Sequence, residues 1–220
     1  MKSIFVLAAA ALVTAGCAGS SDTVLETGDL IFVGIPADYS LGSDSAAGAI
    51  AEATGDGNEL NLIHVAIAEV QDDSTWIIDA TIKRGVDRHP LDTFLTDFTL
   101  RDGSCPVFRT MRLKDNSRAR EFVANARKYL GQPYDSRFLP DNGAMYCSEL
   151  VRESYVTEDG FIFSEAPMNF KDAEGKMPVY WEQLFSALGM EVPQGVNGTN
   201  PMQMSADPAL REIDVDIVSR

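Results

Sequence analysis

The chain of 220 residues has three cysteines, Cys17, Cys105 and Cys147, and two histidines, His64 and His89, so thiol and imidazole chemistry has few residues to choose from. An apolar pattern of helical spacing, Leu150, Val151 and Tyr155, begins at Cys147. That places Cys147 at a helix N-terminus, where aligned peptide dipoles and unpaired N–H groups favour a thiolate. A free cysteine taken alone is more often a small buried apolar residue, so its partners decide. His64 opens the apolar run 64–70, which reads as a strand, and Asp79 lies in a second such run, 75–81. The intervening Gln-Asp-Asp-Ser has the composition of a tight antiparallel turn, which sets Asp79 near His64. A carboxylate there would hold the imidazole in one tautomer and stabilise its cation, the orienting role in a Cys-His-acid triad. Glu69, Asp73 and Asp87 are weaker rivals, since turn and surface positions favour solvation. His89, followed by Pro90, is assigned to a loop. The cysteine spacing matches no metal cluster, so neither metal nor cofactor is expected.

The elements that must position these residues follow from periodicity. Residues 29–35 read as a buried strand, 36–61 as a loop insertion with a short helix at 45–53, and 64–70 with 75–81 as a hairpin that 85–89 extends. Residues 90–98 form a helical turn and 106–113 a strand. Ala119, Phe122, Val123, Ala126 and Leu130 recur at three and four, which predicts an amphipathic helix over 117–130. A last helix is expected at 180–188, before a polar tail ending in an Ile-Asp-Val-Asp-Ile run. The sum is an α+β fold: an antiparallel sheet of five or six strands carrying histidine and acid, packed on the helix that presents the cysteine.

With 33 acidic against 18 basic residues the formal charge is -15, which repels a phosphate backbone and excludes nucleic acid as a partner. Residues 1–17 comprise a basic start, an apolar run from Ile4 to Gly16 and then Cys17, and resemble a bacterial lipoprotein signal. The run is too short for a permanent membrane span. The resemblance implies cleavage of residues 1–16, lipidation of Cys17, a Gly- and Ser-rich tether over 17–27 and a folded domain over 28–220. No aspartate follows Cys17, so the implied destination is the outer membrane, facing the periplasm, in a cell with two membranes.

Gly131-Gln-Pro-Tyr134 followed by Tyr146-Cys-Ser-Glu-Leu-Val151 resembles the nucleophile region of NlpC-type papain-like cell-wall peptidases. In that superfamily the histidine strand usually follows the cysteine, whereas His64-Val-Ala-Ile67 precedes Cys147. Together with Gly28-Asp-Leu-Ile-Phe32 and the Ile-Ile-Asp-Ala stretch, this order resembles the circularly permuted YiiX/YebB-like branch. The resemblance implies a circularly permuted papain-like fold, with Cys147 as nucleophile, His64 as general base then acid, and Asp79 as orienting group where the branch commonly has glutamate. It also makes Tyr134 and Ser148, with the Cys147 N–H, candidates for binding the oxyanion, and Glu149 a first-turn helix charge. Trp181 and the 195–201 segment, within the tail 156–220, resemble the branch's tail, which implies that they wrap the domain or form one wall of the cleft. The leading expectation is a lipid-anchored thiol hydrolase of amide bonds in cell-wall peptides. A second is a thiol acyltransferase or lipid hydrolase of the lecithin-retinol acyltransferase kind, which an apolar tunnel beside Cys147 would favour, whereas a polar open groove would favour peptides. A third is a non-catalytic binding lipoprotein.

Overall fold

The computed structural model describes residues 23–39, 41, 45–55, 60–72 and 74–218. The expected signal, Cys17 and the turn residue Asp73 lie outside them. In chain order the elements are β1 (Leu30–Pro36), α1 (Ala46–Thr54), β2 (Leu60–Gln71), β3 (Ser74–Thr81), β4 (Gly85–Pro90), α2 (Leu91–Asp97), β5 (Val107–Leu113), α3 (Ala119–Arg127), α4 (Cys147–Ser154), β6 (Val156–Thr157), β7 (Gly160–Phe161), β8 (Ala166–Pro167), α5 (Val179–Leu188), β9 (Asn197–Gly198), α6 (Pro201–Ser205) and β10 (Leu210–Ile213).

Six strands form one antiparallel sheet in the order β10-β5-β1-β2-β3-β4, and the other four make two small pairs. Alternation along the strands sends two sets of apolar side chains to opposite faces. Leu30, Phe32, Val65, Ile67 and Ile78 join Phe122 and Val123 of α3 and Leu150 and Val151 of α4. Ile31, Val33, Ala66, Ala68 and Ile77 join Leu91 and Phe94 of α2. A third cluster, with Tyr146, Phe170, Trp181 and Phe185, packs α5 beside α1.

Two irregularities in β2 prepare the site. Val33 pairs with His64 but Gly34 pairs with Leu62, so Ile63 is an extra, bulged residue immediately before His64. The β2–β3 ladder ends at Ile67 and Ile78, three residues short of His64, while β3 stays paired to β4 as far as Thr81. The sheet is therefore unzipped beside His64.

Several expectations are corrected. The fold begins before residue 28: Leu25 is buried, and Arg112 donates to the Val24 carbonyl and to both Asp29 oxygens, at 2.8, 2.6 and 2.7 Å. β2 starts at Leu60, inside the expected loop insertion. α3 ends at Arg127 and Leu130 is exposed, because Lys128, Tyr129 and Leu130 bond to carbonyls three residues back and tighten the last turn. His89 lies in β4, paired with Ile77. The run at the C-terminal end is core: Ile213, Val215 and Ile217 are all buried against the α2 face. Between α2 and β5, residues 101–105 form an exposed turn in which the Leu100 N–H donates to Ser104 and that of Gly103 to Leu100.

Candidate active site

His64 and Asp79 sit on the sheet face covered by α2. Their Nε2 and Oδ2 atoms are 2.8 Å apart, with His64 7% and Asp79 1% exposed. Aspartate's shorter reach is sufficient, because β3 is free of β2 at this point and its side chain crosses the gap. The His64 ring also rests on Phe98, at 4.7 Å between centroids, and lies 6.3 Å from Phe94, so α2 walls it from solvent.

Cys147 is the first residue of α4 and is buried. Its thiol lines the same cavity as the His64 ring, near enough to act on the ring's charge. With Nε2 taken by Asp79, Nδ1 is the ring nitrogen left for other chemistry. Burial pulls the His64 pKa down, but the Cys147 sulfur and the Asp79 carboxylate outweigh it and raise the ring to about 10. The structure thus brings together the three residues expected to form the triad.

The N-terminus of α4 is held from several sides. The Tyr146 N–H donates to Glu149 at 3.3 Å, and the Tyr146 hydroxyl accepts from the Thr199 N–H at 3.0 Å. Burial raises the Glu149 carboxyl to about 8, which makes it more than a solvated first-turn charge. Ser148, fully buried, accepts a bond from the Thr199 hydroxyl at 3.0 Å. The Cys147 N–H, at the first helical position, has no partner within the helix. Tyr134 follows Gly131-Gln-Pro, which is laced to β4: Gly131 donates to the Val86 carbonyl and Val86 to that of Gln132, at 2.9 and 2.8 Å. Burial, then the Cys147 sulfur, pushes the Tyr134 phenol well above its ordinary pKa.

Two cavities meet at Cys147, Tyr134, Ile50 and Ile63. One, of about 60 Å³, is walled by Phe138, Tyr146, Met168, Phe170 and Trp181 and closed by Thr199 to Pro201, with no charged side chain among the described residues that line it. The other, of about 360 Å³, contains His64 and opens past Lys83, Arg84 and Asp97. Trp181 and residues 199–201 thus line the cleft, one of the two roles the resemblance implies for this tail, while Asn197 and Gly198 pair with Pro167 and Ala166. Sequence reasoning missed His89 and Asp87 as neighbours of Asp79. His89 Nδ1 is 3.9 Å from Asp79 Oδ1 and 3.4 Å from Asp87 Oδ2.

Over residues 24–214 the chain matches the model of the permuted papain-like amidase enzymes, the YaeF/YiiX or C92 family. The chain belongs to that family. This amidase is a cysteine hydrolase of amide bonds with a circularly permuted papain-like fold. Among solved structures the amidase is similar to the metalloprotein yiiX from Escherichia coli O157:H7, at 21% identity and a TM-score of 0.65, covering 86% of this chain and 96% of that one. No curated protein matches it. Among the amidase's described residues no three His, Cys, Asp or Glu side chains group as ligands for a metal ion.

Proposed function

We propose that the amidase cleaves its substrate through an acyl-enzyme on Cys147, with His64 as proton carrier and Asp79 as orienting group. The observation that carries this reading is the buried His64–Asp79 bond beside the thiol at the start of α4. A protonated imidazole stabilises a thiolate next to it. The thiolate attacks the amide carbonyl, and the oxyanion takes a hydrogen bond from the Cys147 N–H, with Ser148 and Tyr134 as the nearby hydroxyls. Collapse expels the amine, which takes the proton from His64. The neutral ring then accepts a proton from water, whose oxygen attacks the thioester and releases the acid and the thiol.

The substrate we propose first is a peptide of the cell envelope, with the enzyme anchored through Cys17. The lipoprotein-like start and the likeness to cell-wall peptidases support it. A second reading, an N-acyl or lipid amide, is favoured by one observation: the cavity on one side of Cys147 is aromatic and uncharged, which suits an apolar acyl group better than a polar peptide.

The test is hydrolysis by the purified protein of two amide panels, envelope peptides and N-acyl amino acids, together with trapping of the acyl-enzyme by mass spectrometry. A mass adduct on Cys147 that is absent in Cys147→Ala is expected. Turnover that survives in Cys147→Ala would remove the mechanism.

A further inference from the structure

The carboxylate that serves His64 has a second oxygen, and Asp79 Oδ1 is buried without a hydrogen-bond partner. Facing it is a second buried polar atom that makes no hydrogen bond, His89 Nδ1, 3.9 Å away and 3.4 Å from Asp87 Oδ2. A buried carboxylate oxygen and a buried ring nitrogen both left without a hydrogen bond are costly, and here they are opposite each other. The register of β3 and β4 explains the placement. Asp79 pairs with Asp87, and His89 stands two residues beyond Asp87 on the same face, diagonal to Asp79. The pairing also puts two carboxylates side by side, one buried and one partly exposed. The titratable and charged groups around them are His64 on β2, His89 itself, Arg84, whose Nε lies 3.7 Å from Asp87, and Asp97 of α2, which pairs with Arg84.

We infer that His89 is a positioning residue of the amidase: its Nδ1–H closes onto Asp79 Oδ1 and fixes the carboxylate that orients His64. His89 then lies between Asp79 and Asp87 and offsets the repulsion that would otherwise turn Asp79 away from His64. It does not touch the sulfur or the substrate, and its whole effect passes through Asp79. This rests on the proposed role of Asp79 but on no substrate assignment.

The experiment is the rate of Cys147 alkylation by iodoacetamide from pH 5 to 9 on the folded protein, with Cys105 as the exposed internal reference. His89→Ala should slow Cys147 alkylation at neutral pH roughly tenfold, the scale of one bond to a charged group, and displace its pH profile, while Cys105 is unaffected. His89→Asn, whose amide nitrogen can occupy the Nδ1 position, should recover most of the rate; a merely structural role for His89 would not give that rescue. In an Asp79→Asn background, His89→Ala should add no further loss. An unchanged rate and profile in His89→Ala, no rescue by asparagine, or an equal additional loss in the Asp79→Asn background overturns the inference. The failure of the triad reading looks different: there Asp79→Asn itself leaves the Cys147 profile at the wild-type value.

Discussion

Cys147, His64 and Asp79 differ in how much of their surroundings they carry in sequence. Cys147 at the head of an apolar helical pattern and His64 at the head of an apolar run are local signals, and Asp79 follows from a hairpin register. The extension of the hairpin by 85–89 was legible but the nearness of His89 to Asp79 was not, because it depends on the exact β3–β4 register and the proline after His89 suggested a loop. A residue before proline favours extended backbone, which an edge strand also supplies. Replacing Cys147 with alanine should lower turnover by more than about a thousandfold while leaving the unfolding midpoint near wild type, read by amide hydrolysis and circular dichroism. Asp79→Glu should retain more activity than Asp79→Ala, since it keeps an acceptor for His64; equal rates in the two would show that another group orients the ring. His64 also links stability to pH. Its folded value of about 10 lies above the free value of 6.5, so its contribution is complete below about pH 6.5 and is lost as pH rises through about 10. Denaturant midpoints measured across that window should fall with pH, and His64→Ala should flatten the fall.

At the scale of elements, α4 and the strand edge at Gly85 carry the next two predictions. Glu149 in the first turn of α4 is raised from 4.5 to about 8, so folding favours its protonated form and stability declines as pH rises from 4.5 to 8. Glu149→Gln keeps an acceptor for the Tyr146 N–H and loses the charge. Its stability advantage over wild type should therefore grow across that interval and level off above it, as measured by urea denaturation. Gly85 has a φ of +69°, and a Cβ there would stand 2.3 Å from the Gln132 carbonyl oxygen, which takes part in the lacing of β4 to the Tyr134 segment. Gly85→Ala should cost about 1–3 kcal/mol or displace Tyr134, visible as a lower midpoint with reduced turnover. Helices and strands of strong period were legible as elements. The end of α3 was not, because three-residue-back bonds replaced the last helical turn, and the start of β2 was hidden in a small-residue stretch that reads as loop.

The whole molecule shows why the α+β architecture could be read while the cleft could not. The sheet follows from alternation and turns, but the aromatic wall assembles from α5 and the 168–170 and 199–201 segments, which are distant in sequence from Cys147 and carry no periodic signal of their own. Permutation has a further result at this scale. The exposed 101–105 turn divides the chain so that His64 and Asp79 fall on one side and Cys147 on the other, while β1 of the first part pairs with β5 of the second. The enzyme is in this sense divisible. Two co-expressed polypeptides meeting at that turn, each inert because it lacks part of the triad, should reassociate along the β1–β5 ladder and recover hydrolysis only as a mixture, which makes the amidase a complementing pair held together by a strand edge.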